Sequence, residues 1–345
     1  MEYINDITIN EAIIHILDSN SDEPILNNFT LELNEDVYKF ILKHLQRSFK
    51  DEELKYALFN KRTVVKDVSQ EFLKGEGLSF IEASQELARQ LFSLIKGNGN
   101  IPSCDLMVVN LTTEYGPMIG ILKMDYVKNF THEIDFVDDQ IGINIIPHTT
   151  GLPGGGQKLQ KSAFIKLIKE DQEFNLMVID KQAKGKNEEE YGSNYFISSY
   201  LGCSIIKNER DMTKGLLKAA ETWTRNNITE DADRAEQLRS TLKQKLKEEE
   251  SINIDALSEE LFRDEPEKKR SFQEYTASQG LEEEVILDKE YVEKKLKRIR
   301  LKIDRDIDLY ITEEAYNDIN RFEIVRNGDG SINMIVKHIM NYIEK

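Results

Sequence analysis

Apolar residues recur along this chain in two alternating rhythms, and the changes of rhythm mark out its elements. Residues 7–33 carry β-branched and apolar residues in two runs, ITINEAIIHIL and NFTLEL, separated by the turn-rich SNSDEP; the pattern predicts a β-hairpin. From Glu35 to Phe49 the spacing lengthens to that of a helix, with Val37, Phe40, Ile41, His44 and Leu45 on one side. Phe80 to Ile95 repeats it with Ala83, Leu87, Leu91 and Leu94, and Gly97-Asn98-Gly99-Asn100 supplies the stop. Short runs of strand formers follow at Leu106–Leu111, Met118–Val127, His132–Ile134, Ile141–Ile146, Ala163–Ile168 and Leu176–Ile179. Their connections are too short for helical crossovers, so an antiparallel meander is expected. The polar insertion QAKGKNEEEYGSN after the last run is expected to be a surface loop.

Beyond residue 210 the composition shifts. Helix formers dominate residues 211–280, with mixed charge in DADRAEQLRSTLKQKLKEEE and a break near Pro266. Strand-like segments return after Val285: KKLKRIRLKID, Ile307–Ile311, a short helix at Glu313–Asn317, and a hairpin FEIVRNGDGSINMIV turning at Asn327–Gly330. The expected fold class is α+β, in three parts: an N-terminal antiparallel sheet with helices over residues 1–185, a mainly helical region over 186–284 and a mixed α+β region over 285–345.

The densest local signal is Tyr195 to Trp223, YFISSYLGCSIIKNERDMTKGLLKAAETW. Its aromatic run reads as a core element closed by a turn at Gly202. A helix follows, capped by Asp211 or Thr213 and burying Leu216, Leu217, Ala220 and Trp223. This Tyr-Leu-Gly, polar spacer, Gly-Leu-Leu order resembles the signature of the bacterial nucleoid-associated protein family of the NdpA/YejK type. Tyr56-Ala57-Leu58-Phe59, and Ser271-Phe272 with Tyr275 and Gly280, agree in the same order, while Tyr200 stands where the family more often has Phe. The resemblance implies a non-enzymatic protein associated with the bacterial nucleoid, with DNA or chromosome proteins such as a DNA topoisomerase as partners. It supplies no catalytic residues.

Charge complicates direct DNA contact. The 345 residues carry a formal net charge of −17, so a phosphate-binding surface must be a local basic patch working against the global field. Recruitment by another nucleoid protein, with the chain as an acidic adaptor and no DNA contact, is the alternative. The strongest basic cluster is Lys294, Lys295, Lys297, Arg298, Arg300 and Lys302. From Arg298 it alternates with Ile299, Leu301 and Ile303, which puts Arg298, Arg300 and Lys302 on one strand face, suited to a phosphate backbone. The same row is equally suited to neutralising Glu282–Glu284 or Asp304, Asp306 and Asp308, and no aromatic residue interleaves with it.

Other chemistry finds less support. The loop from Gly151 to Lys158 has two glycines five apart, but Gln157 stands where a phosphate-binding loop needs lysine. It is expected to be a turn that exposes Lys158 and Lys161 to a partner or a phosphate backbone. Asp180-Lys181-Gln182 after a strand, with Asp105 as an earlier acid, weakly matches a metal-dependent nuclease pattern. The five histidines, His15, His44, His132, His148 and His338, have no ligand spacing, and Cys104 and Cys203 form no C-x-x-C pair, so no metal, cofactor or disulfide framework is expected. The N-terminal MEYINDITIN lacks the basic and apolar regions of a signal peptide, and no apolar run reaches the roughly 20 residues of a membrane span, so a soluble cytoplasmic protein is expected.

Overall fold

Seven strands, each paired antiparallel to its neighbours, make the central sheet of the N-terminal half. In chain order this half runs β1 (Ile7–Leu17), α1 (Glu35–Phe49), β2 (Lys55–Phe59), α2 (Val64–Lys74), α3 (Phe80–Gly97), β3 (Cys104–Thr113) and β4 (Gly116–Asp125). It continues through β5 (Val127–Val137), β6 (Gln140–Thr150), β7 (Lys161–Lys166), β8 (Leu176–Asp180), a π-helical turn at Tyr195–Leu201, and β9 (Cys203–Ile206). The strand order across the sheet is β1-β3-β4-β7-β8-β2-β9, and β5 and β6 pair only with each other. The computed structural model describes all residues except 61, 138–139, 153–157, 171, 182–194, 304–305 and 342–345. The polar insertion after β8, most of the glycine-rich loop and Asp304 therefore lie outside the described residues.

Both faces of the sheet are covered. Leu87, Ala88, Leu91 and Ile95 of α3 pack with Val108, Ile121, Ala163, Ile165 and Val178 in one core, which also takes in Phe196 and Tyr200. Phe164, pointing the other way from β7, meets Phe49 of α1 with ring centroids 4.1 Å apart. Burial on both sides explains why β3, β4 and β7 read as near-continuous apolar runs. The helix ends follow capping chemistry: Asn34 accepts from Val37 N, Thr63 from Lys66 N, and Ser79 forms a capping box with Glu82.

The expected N-terminal hairpin is not formed. β1 pairs along its length with β3, from Ile7 opposite Thr113 to Leu17 opposite Cys104, while residues 28–33 hold no strand. The connecting segment touches β1 through a single bridge, Ile16 to Ile25, and the second run through the bond from Leu31 N to Ala12 O at 2.7 Å. Pro24 carries no backbone donor at the point where a ladder would begin, and β3 offers a full-length apolar partner.

Residues 2–206 cluster as one compact unit and residues 207–345, with Met1, as a second. The second contains α4 (Glu209–Asn227), α5 (Ala232–Glu248), β10 (Ser251–Asn253), α6 (Ile254–Leu261), α7 (Pro266–Ser278), β11 (Glu284–Ile286) and α8 (Lys289–Leu296). It ends with β12 (Arg298–Ile303), β13 (Ile307–Thr312), α9 (Glu313–Asn317), β14 (Phe322–Arg326) and β15 (Ile332–Val336). Trp223 centres its core, with ring centroids 4.9 Å from Phe262 and 5.5 Å from Phe272, and its Nε1 donates to Ser271 Oγ at 3.1 Å. Val285, Leu287, Val292 and Leu296 belong to the same cluster, so one core runs across residue 285. The cap of α4 is Asn208, whose side chain accepts from Asp211 N at 2.8 Å, rather than Asp211 or Thr213. Thr213 instead donates to Glu209 O and accepts from Asp288 N.

Candidate nucleic-acid interface

Asp288 caps α8 by accepting from Tyr291 N at 3.0 Å, and the helix buries Tyr291, Val292 and Leu296. That leaves Lys294 and Lys295 on its outer side, with Lys294 paired to Glu290 one turn back at 3.2 Å. Lys297 ends the helix and β12 begins at the next residue, so the cationic run crosses from helix to strand without an intervening loop. In β12 the alternation is realised: Ile299 is buried, Leu301 and Ile303 are half-buried, and Arg298, Arg300 and Lys302 are exposed about 7 Å apart along the strand. Lys295, Lys297, Arg298 and Lys302 make no ion pair with another described residue.

Pairing with β13 adds what the local sequence does not display. Arg298, Arg300 and Lys302 lie opposite Thr312, Tyr310 and Asp308. Arg300 donates to Asp308 Oδ1 through Nε at 3.3 Å and Nη2 at 3.2 Å, and its guanidinium lies 5.2 Å from the Tyr310 ring centroid. Tyr310 is exposed. The basic face thus includes an aromatic ring delivered by the hairpin register, where a linear reading finds none; the short turn between two alternating runs is the signal that gives that register. One of the anticipated neutralising acids, Asp308, does engage the row; of the three central cations it binds Arg300.

The second expected contact, Lys158 with Lys161, divides. Lys158 is 71% exposed, with Nζ 3.9 Å from Asp51. Lys161 is not presented to solvent: at 12% exposure it pairs with Asp180 and sits 5.2 Å from the Tyr195 ring centroid. The adjoining loop runs from β6, which pairs only with β5, to β7 of the central sheet, so a strand and not a helix follows it. Its Gly151 lets the backbone pass close to Asp105, since a Cβ there would lie 2.1 Å from Asp105 Oδ2 and the carboxylate would have to shift.

The acids of the nuclease pattern are separated by topology. Asp105 lies on β3 and Asp180 on β8, with β4 and β7 between them, roughly 14 Å at the usual strand spacing. Asp105 accepts from the Tyr126 hydroxyl at 3.0 Å, and burial raises its carboxyl above the usual range. Among the described residues no three His, Cys, Asp or Glu side chains converge as a metal site. Cys104 and Cys203 are buried, which pushes both thiols up to about 12. His15 Nε2 meets Ser84 Oγ at 3.0 Å and its Nδ1 accepts from Asn27 N, a satisfied core histidine. His44 is also buried, edge-on to Phe40.

The chain folds as a mixed α+β protein, with the cationic run Lys294–Lys302 exposed on α8 and β12. The family model for nucleoid-associated protein YejK matches residues 13–344, and the chain belongs to that family. No curated protein matches the sequence. The residues that carry the resemblance have structural work: Tyr56 stacks on Phe174, Tyr200 donates to Leu87 O at 3.1 Å, and Phe272 packs against Trp223. No helix among the described residues is long and apolar enough to cross a membrane.

Proposed function

We propose that this chain is a non-enzymatic nucleoid protein that contacts DNA phosphates directly through Arg298, Arg300 and Lys302, with Lys294, Lys295 and Lys297 extending the patch. The observation that carries the proposal is the one-sided exposure of three cations on β12, continuing a run from α8 of six cations in ten residues with no acid among them, in a chain of net charge −17. Phosphate contacts from such a row are blind to sequence and set affinity through counterion release. Association with a DNA topoisomerase or another chromosome protein is compatible with this role. The acidic-adaptor alternative has less support, because the acids of the helical region are interleaved with cations. Glu221 pairs with Arg239, Glu259 with Lys269, Glu260 with Lys245, and Glu265 with Lys268 and Arg234.

The test is fluorescence anisotropy with duplex DNA over a salt series. The protein is expected to bind with a negative log-log slope. The combined Arg298→Ala, Arg300→Ala, Lys302→Ala variant is expected to flatten that slope by about 3, with thermal stability unchanged because all three side chains are exposed. Unchanged affinity in the variant removes the site, and no binding by the parent protein at low salt leaves recruitment through protein contacts.

A further inference from the structure

The β5–β6 hairpin has one largely apolar face that no described residue covers. In its register Phe130 lies opposite Pro147, His132 opposite Ile145, Ile134 opposite Ile143 and Phe136 opposite Ile141, and alternation puts these four pairs on a single side. The reverse side carries Asn129, Thr131, Glu133 and Asp135 opposite His148, Ile146, Asn144 and Gly142. Phe130, Ile134, Phe136, Ile141, Ile143 and Ile145 are between 53% and 77% exposed. A two-stranded ribbon with its apolar side in water is marginal by itself, so its sequence is written for a face that becomes buried.

We infer that this face is the interface between two copies of the chain. The inference is independent of DNA contact by β12. Three observations select a second copy. The six large side chains present roughly 800 Å² of apolar surface, the amount each partner of a standard stable interface contributes. These four pairs carry no carboxylate, ammonium or guanidinium, only the imidazole of His132, so the patch is depleted in the charges that heterologous partners use for recognition and matches the apolar character of homodimer interfaces. The hairpin also places Ile134 and Ile143 side by side at the middle of the patch, so a two-fold axis there stacks each face on itself, ribbon on ribbon, as two sheets pack about 10 Å apart. With a net charge of −17, apolar contact has to overcome general repulsion between copies, so association is expected to strengthen with salt, opposite in sign to DNA binding.

Sedimentation velocity on the full chain, from about 1 to about 100 µM, is expected to show a dimer. Ile143→Asp, which buries a carboxylate at the centre of the interface, is expected to raise the dissociation constant at least about 100-fold while leaving the thermal midpoint of the monomer in place. A parent protein that stays monomeric throughout overturns the inference and assigns the face to another macromolecule; a dimer unaffected by the substitution overturns it too. If Ile143→Asp lowers the thermal midpoint, Ile143→Cys decides. Cys104 and Cys203 are both buried, so a short bis-maleimide reports on the new thiol alone. A cross-linked dimer supports the interface, and monomer only refutes it.

Discussion

Asp308 holds Arg300 within the basic row, with Oδ1 accepting from Nη2 at 3.2 Å, and both side chains remain solvent-accessible. An exposed pair of this kind contributes little to stability. Its consequence lies in binding, since the carboxylate both occupies a guanidinium and repels phosphate.

Asp308→Ala is therefore expected to tighten duplex DNA binding. Removing one negative charge beside a phosphate is worth about 1 kcal/mol, or about fivefold in affinity. Anisotropy titrations on parent and variant make the comparison. Equal or weaker binding by Asp308→Ala contradicts a phosphate contact at Arg300.

His15 is expected to make the N-terminal unit acid-sensitive. Burial, and then the nearby Arg89 charge, lower its pKa from 6.5 to about 4, so the folded state holds it neutral. An unfolded chain protonates the same ring below about 6.5, and stability then rises with pH because the unfolded state binds the extra proton. The contribution is complete above about 6.5 and is lost as pH falls toward about 4. Between neutral pH and about pH 5 the loss is about 2 kcal/mol. Urea unfolding at several pH values checks this, and His15→Gln is expected to abolish that part of the slope even if it lowers stability at neutral pH. A slope unaltered by the substitution assigns the acid sensitivity to other groups.

Gly202 is expected to tolerate no side chain. Its φ of 61° lies in the left-handed region, and a Cβ there would lie 2.1 Å from Thr63 Cγ2, on the residue that caps α2. Gly202→Ala is expected to cost about 2 to 4 kcal/mol, read as a lower thermal midpoint. Adding Thr63→Ser keeps the capping oxygen and removes the obstructing methyl, so it should recover the steric part of the loss and leave the backbone part. No recovery would mean that the methyl contact is not the cause.

Much of this fold was legible because local periodicity and local burial coincide. Helix α1 was expected from Glu35 to Phe49 and α9 from Glu313 to Asn317, and both form over those spans. The expected strand residues of β3, β4, β7 and β8 were each found within about two residues at either end, and boundaries of that kind are the usual uncertainty. Asn208, not Asp211 or Thr213, caps α4: several residues before Met212 have capping side chains, and only packing decides that Asn208 faces the first free amides while Thr213 turns to Asp288.

The sequence alone determined the α+β class, the family resemblance, and the alternation that sets Arg298, Arg300 and Lys302 on one strand face, because each follows from the order of residues within a short span. Pairing over long separations was decided by the tertiary structure. It joined β1 to β3 instead of to its expected hairpin partner, set Tyr310 and Asp308 beside the basic row, and drew Lys161 inward to Asp180. It also left the apolar side of β5 and β6 uncovered. The physical reason is that a strand's sequence specifies which residues share a face but not which strand, ring or second molecule comes to cover it.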